Sequence, residues 1–129
     1  MPAKTVLIAD DDRDLVEVLA ERCRRLGLDV LAAHDAMTTL ALVRQEHPDL
    51  ACIDVNMPSG SGFGVCEMLE SDEELSPMPV IMLTGRADEE TIRRCHAMCV
   101  YYVLKSHDVW QRVEPILCEL LNVEPLGTP

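Results

Sequence analysis

Positive charge is scarce in this chain of 129 residues: 11 Lys and Arg stand against 23 Asp and Glu, for a net charge of −12. Binding to DNA or RNA rests first on cations that neutralise phosphates, so direct nucleic acid binding by this segment is excluded. The small basic group in "ERCRRLG", Glu21 to Gly27, reads as a solvated helix face. No apolar run reaches the length of a membrane span, and "MPAKTVLIAD" lacks the shape of a signal peptide. A soluble, cytoplasmic protein with no membrane partner is expected. Paired cysteine spacing is missing too: Cys23, Cys52, Cys66, Cys95, Cys99 and Cys118 lie among apolar neighbours and read as reduced core residues. Cys95, His96 and Cys99 come nearest to a metal set, but they lack a fourth ligand and a zinc-knuckle spacing.

What the chain does have is a repeated alternation. "VLIA", "DVLAA", "LACI", "PVIML" and "VYYVL" are short apolar runs rich in Val, Ile and Leu, the mark of parallel strands buried on both faces. Helical spacing fills the gaps between them. Leu15, Leu19, Cys23 and Leu26 repeat at four, four and three, with Asp12 placed as the cap and Gly27 as the stop. Ala36, Leu40 and Val43 share one face of a helix predicted over 35–46, which ends before Pro48. Further helices are predicted over 63–69, 88–97 and 108–121. Five βα units argue an α/β fold: a flavodoxin-like (βα)5 doubly wound parallel sheet of strand order 2-1-3-4-5. One domain is expected over 1–122, and "NVEPLGTP" makes 123–129 a tail or the start of a linker.

In that order, a ligand belongs at the carboxyl ends of strands 1 and 3, where the strand order reverses. Strand 1 runs into Asp10, Asp11 and Asp12, strand 3 into Asp54, strand 4 into Thr84 and strand 5 into Lys105. Two carboxylates about 4 Å apart repel by roughly 4 kcal/mol at an effective dielectric of about 20. A divalent, oxygen-seeking cation would offset that repulsion, and Mg2+ suits a site with few carboxylates, retained waters and a phosphoryl oxygen. Asp12 is expected to cap the first helix, which leaves Asp10 and Asp11 for the metal. Of these, Asp11 is expected as the direct ligand, with Asp10 acting through water. The chemistry needing this set is phosphoryl transfer to a carboxylate, with Asp54 as nucleophile and Thr84 and Lys105 neutralising the transferred group.

"LIADDD", "IDVNMPSGSG", "MLTG" and "YYVLK" together resemble the response-regulator receiver domains of two-component signalling, in order and over essentially the whole chain. The resemblance implies that Asp54 is the phosphoacceptor and that Asp10, Asp11, Asp54 and the Asn56 main-chain carbonyl hold Mg2+, with Mn2+ as a substitute. It implies phosphate contact and switching at Thr84 and Lys105, a switching aromatic at Tyr102, and tuning of the phosphoryl lifetime at Asn56 and Arg86. Its partners would be a sensor histidine kinase or phosphotransfer protein upstream and an effector protein or domain downstream. The signal would leave through the surface of the fourth helix, fifth strand and fifth helix, and the protein would be a switch that only phosphorylates itself and slowly dephosphorylates.

Several residues depart from that pattern. Ser106 follows the lysine where the family has proline, so a trans Lys105–Ser106 bond is expected in place of a cis one. Pro115 predicts either a kinked last helix or one that winds only from about Arg112. Trp110 reads as exposed, and Met98-Cys99 replaces a small Gly-Ala pair. Two rivals to the switch are a scaffold of the same fold that is never phosphorylated and an aspartyl-phosphate phosphohydrolase. A flavin-binding domain is disfavoured, because no Ser/Thr/Gly-rich phosphate loop follows strand 1.

Overall fold

The computed structural model of the chain describes residues 3–125 other than 87 and 99. Five parallel strands, β1 (Thr5–Ala9), β2 (Asp29–Ala33), β3 (Leu50–Asp54), β4 (Val80–Thr84) and β5 (Tyr101–Leu104), form one sheet in the order β2-β1-β3-β4-β5. The helices between them are α1 (Arg13–Arg25), α2 (Ala36–Glu46), α3 (Gly62–Glu70), α4 (Glu89–Ala97) and α5 (Val109–Leu121). This is the doubly wound, flavodoxin-like arrangement expected from the alternation. A two-residue antiparallel ladder, Asn56–Met57 against Gly60–Ser61, folds the chain back after β3.

Strand alternation divides the core into two layers. Val6 and Ile8 of β1, Leu50 and Cys52 of β3, and Ile81 and Leu83 of β4 pack with α1 and α5. Their alternate neighbours Leu7, Ala9, Ala51, Ile53, Val80 and Met82 pack with α2, α3 and Cys95 of α4. Each fully buried Leu or Ile contributes roughly 1.5–3 kcal/mol, so a one-residue slip in any central strand is strongly opposed. The helices begin where polar caps dictate. Asp12, Asp35, Ser61 and Asp88 each accept a backbone N–H three residues on, at 3.2, 2.7, 3.0 and 2.8 Å. Gly27 stands just past α1 with φ +84°, a conformation that suits glycine.

Three expectations need correction. Only β1, β3 and β4 are buried on both faces; β2 exposes Asp29 and Ala32, and β5 exposes Tyr101, Tyr102 and Leu104. Both are edge strands, with a neighbour on one side only. Trp110 is buried, not exposed, because it lies on the same stripe of α5 as Val113, Leu117 and Leu121. α5 winds from Val109 rather than from Arg112, and it passes through Pro115. Pro115 cannot donate to the Gln111 carbonyl, but both residues are exposed and water can satisfy that oxygen. The five described cysteines are free and buried, and burial pushes the thiols of Cys23 and Cys66 up to about 12. Cys99 lies outside the described residues, and with it the third member of the Cys95–His96–Cys99 set.

Candidate functional site

Three parallel strands carry their backbone pairing one residue past the sheet, and this fixes the groups at its carboxyl edge. Asp10 N–H donates to the Ala33 carbonyl at 3.1 Å, Val55 N–H to Leu83 at 2.9 Å and Lys105 N–H to Thr84 at 2.7 Å. Asp10 and Asp54 continue the alternation that points Ile8 and Cys52 toward α1 and α5, and Lys105 continues that of Val103. The three side chains therefore meet. The Lys105 ammonium lies 3.0 Å from Asp10 Oδ2 and 3.1 Å from Asp54 Oδ1.

Asp10 is fully buried and Asp54 is 3% exposed, whereas Asp11 stands in solvent beside them. Each of the three carboxylates offers an oxygen within 4.8 Å of the others, the one such acidic cluster among the described residues. Burial, with the Asp10 charge adding to it, pushes the Asp54 carboxyl up to about 6 despite the opposing pull of Lys105. For Lys105, burial works to lower the ammonium. The hydrogen bond and charge of Asp10, with those of Asp54, outweigh it and hold Lys105 above its usual value. Asp12 is not part of the cluster; its Oδ1 caps α1, as its position in the sequence indicated.

Asn56 donates its N–H to Asp54 Oδ1 at 3.3 Å, so the turn after β3 is itself tied to that carboxylate. Gly62 closes over the same point: a Cβ on it would lie 2.3 Å from the Asp54 carbonyl oxygen, so no larger residue fits without moving the strand end. Thr84 is buried but turned away. Its hydroxyl donates to the Arg86 carbonyl at 2.8 Å and accepts the Arg86 N–H at 3.0 Å, a local loop closure. Arg86 and Asn56 share a groove of about 330 Å3 with Phe63, Asp88 and Arg94. Tyr102 is 37% exposed on the α4 side of β5, with its ring centroid 6.2 Å from that of His96.

Two features of the edge escaped the sequence reading. His34, directly after β2, places Nδ1 2.9 Å from the Asp10 carbonyl oxygen. Strand 2 neighbours strand 1 in the predicted order, so a survey of polar residues at its end finds this one. Ser106, in the place of the expected proline, donates to Asp108 Oδ1, while Arg112 Nε donates to Asp108 Oδ2 at 3.1 Å. That chain of contacts holds the loop after Lys105. No described peptide bond is cis, and Lys105–Ser106 is trans as expected.

The sequence profile of the response regulator receiver domain matches residues 6–112, most of the sheet and its helices. The chain belongs to the response-regulator receiver domain family. Receiver domains are phosphorylated on an aspartate in two-component signalling and bind Mg2+ at an acidic pocket; they serve as switches. This receiver domain is 39% identical over 120 residues to the probable transcriptional regulator ycf27 of Galdieria sulphuraria, covering 92% of this chain and 46% of the relative. It thus spans about half that protein's length. It is 32% identical over 116 residues to the polar-differentiation response regulator DivK of Brucella ovis, covering 88% of this chain and 93% of the relative. Among solved structures, the Mn2+-bound form of response regulator Rcp1 shares the fold with a TM-score of 0.82. The match covers 97% of this chain and 99% of that one at 22% identity.

Proposed function

We propose that this receiver domain accepts a phosphoryl group on Asp54 from the phosphohistidine of a sensor kinase or phosphotransfer protein. The observation that carries this reading is the convergence of the Lys105 ammonium on Asp10 and Asp54, at 3.0 and 3.1 Å, beside the free carboxylate of Asp11. At pH 7 a carboxyl titrating near 6 is ionised, yet more basic and so more nucleophilic than an ordinary aspartate. An Asp54 oxygen attacks phosphorus, the bond to the donor nitrogen breaks, and the donor imidazole leaves as the acyl phosphate forms. Lys105, held by Asp10, remains to pair with an oxygen of the transferred group.

The three clustered carboxylates are hard oxygen donors suited to Mg2+, with the Asn56 main-chain carbonyl as a fourth protein ligand. When bound, the metal supplies positive charge against the phosphoryl oxygens. The Mn2+ in Rcp1 supports the substitution of that ion. Asp11, the exposed member, suits direct ligation, while Asp10, already engaged by Lys105, suits a contact through water.

Thr84 must release the Arg86 backbone to reach a phosphoryl oxygen, and that exchange of partners starts the switch. Tyr102 follows on the same face, and α4, β5 and α5 carry the new surface to an effector. Arg86 and Asn56, sharing one groove beside Asp54, set the lifetime of the acyl phosphate. The protein works in the cytoplasm as a switch, with no turnover of a metabolite.

Incubation with Mg2+ and acetyl phosphate should add one phosphoryl group by intact mass, and Asp54→Asn should abolish it. No mass change in the parent protein would favour the scaffold reading. Steady hydrolysis of assorted phosphate esters would favour the phosphohydrolase.

A further inference from the structure

Asp10 is held at every polar atom. Its N–H donates to Ala33 O at 3.1 Å, Oδ1 accepts the Asp12 N–H at 3.0 Å, and Oδ2 takes the Lys105 ammonium at 3.0 Å. Its carbonyl oxygen lies 2.9 Å from His34 Nδ1. A carbonyl can only accept, so Nδ1 carries the hydrogen and the tautomer is fixed. Asp11 is the opposite case. It is exposed, and its carboxylate has no hydrogen-bond partner among the described residues.

We infer that His34 is a positioning residue for the metal site, acting on Asp11 through the Asp10 carbonyl it grips. The Asp10 carbonyl and the Asp11 N–H belong to one rigid peptide plane. Fixing the oxygen fixes that plane, and with it the direction in which the Asp10-Asp11 backbone presents the Asp11 side chain. The strand ladder cannot do this, because its last pair is Ala9 with Ala33 and β2 turns into α2 beyond it. Without His34, the Asp10 carbonyl can swing to water and the plane turns with it. Groups that orient a ligand from behind it commonly cost 10- to 100-fold in metal affinity when removed. The inference rests on the proposed reading of Asp10, Asp11 and Asp54 as the Mg2+ site.

The test is a calorimetric titration of the full chain with Mg2+, run on the parent, His34→Ala, His34→Asn and Asp11→Asn, with thermal melting in parallel. His34→Ala should bind Mg2+ about tenfold more weakly with little change in melting. His34→Asn, whose amide N–H falls where the Nδ1–H was, should recover to within about threefold of the parent. Parent-like affinity in His34→Ala, with Asp11→Asn impaired, overturns the role of His34 and leaves the metal site standing. Equal weakening in the Ala and Asn variants overturns it as well, since bulk rather than the donated hydrogen would then matter. Unchanged affinity in Asp11→Asn defeats the site reading itself. Should His34→Ala fail to fold, His34→Gln, whose amide sits one bond too far, replaces it and should stay weak where Asn recovers.

Discussion

The carboxyl edge of the sheet has two faces, and they are in different states. On the α1–α5 side, Asp10, Asp54 and Lys105 are locked together by charge within about 3 Å, and Asp10 has no free polar atom. On the α4 side, Thr84 spends both hydrogen-bonding capacities of its hydroxyl on the Arg86 backbone, and Tyr102 lies at the surface. Two-residue periodicity makes the division. Thr84 follows Val80 and Met82 onto the helix α2–α4 layer, while Asp54 and Lys105 follow Cys52 and Val103 onto the other. A site that must bind first and signal second gains from this arrangement. On the proposed reading, the charged half is preorganised for phosphoryl uptake, and the hydroxyl half holds two ordinary hydrogen bonds that it can give up.

The largest effect should come from breaking the locked half. Lys105→Met leaves two buried carboxylates facing each other with no cation between them. Losing one partner of such a group costs about 3 kcal/mol, at the low end of the buried range because Lys105 itself is a quarter exposed. Urea denaturation at pH 7 in chelator checks this. The loss should shrink when Mg2+ is added, and it should shrink again as pH falls below about 6, where Asp54 takes up a proton. A variant as stable as the parent under all these conditions would mean that the locked half is not held by charge.

A second prediction sharpens the same point through pH. Asp54 titrates near 6 in the fold against an ordinary 3.8, so folding favours its protonated form. A raised carboxyl contributes stability that is fully present below about 4 and lost as pH rises through about 6. Asp54→Asn removes that loss. Relative to the parent in chelator, the variant should therefore gain on the order of 2 kcal/mol between pH 4 and pH 7, most of it before pH 6.5. Chemical denaturation of both proteins across that range measures the difference directly. A constant gap would show that burial and the Asp10 charge do not hold Asp54 above its ordinary value.

Thr84→Val tests the loose half and should do less. It removes two hydrogen bonds of ordinary length, and Arg86 is exposed enough for water to replace them, so the cost is about 1 kcal/mol. Phosphoryl uptake on Asp54 should persist within about threefold, since on the proposed reading the charged half supplies the chemistry. Effector binding by the phosphorylated form should fall to the level of the unphosphorylated one. Loss of uptake itself would place Thr84 in the chemistry and erase the distinction between the halves.

The sequence carried most of this architecture, because the signals were local and redundant. Five apolar runs, four acidic or hydroxyl caps and the placement of Gly27 agree on the element order, and the order brings Asp10, Asp54 and Lys105 together. What stayed hidden needed a second layer of reading. The division of Thr84 from Lys105 follows from counting alternate residues along β4 and β5, but only once the strand ends are fixed to within one residue. Trp110 sits on the same three- and four-residue stripe as Val113 and Leu117 of the helix predicted over 108–121, and Pro115 obscured it by allowing a later start near Arg112. His34 went unseen because a histidine at a strand end has many uses, and only the approach to the Asp10 carbonyl singles one out.

The smallest effect is expected at the rim of the loose half, in Tyr102. The ring stands more than a third exposed, tilted against His96 at 6.2 Å, and it makes no described hydrogen bond. Tyr102→Phe keeps the ring and removes only a solvated hydroxyl, so its stability should lie within about 0.5 kcal/mol of the parent. Tyr102→Ala loses a partly exposed aromatic on an edge strand and should still cost only about 1 kcal/mol. Neither change should alter phosphoryl uptake, because β5 alternation keeps Tyr102 off the layer that holds Lys105. If the ring takes part in the switch, both variants will separate uptake from effector binding, Ala more than Phe. If it only packs, effector affinity will follow the small stability losses. The uptake-to-binding ratio of the two variants decides whether the loose half ends at Thr84 or extends to the edge of the sheet.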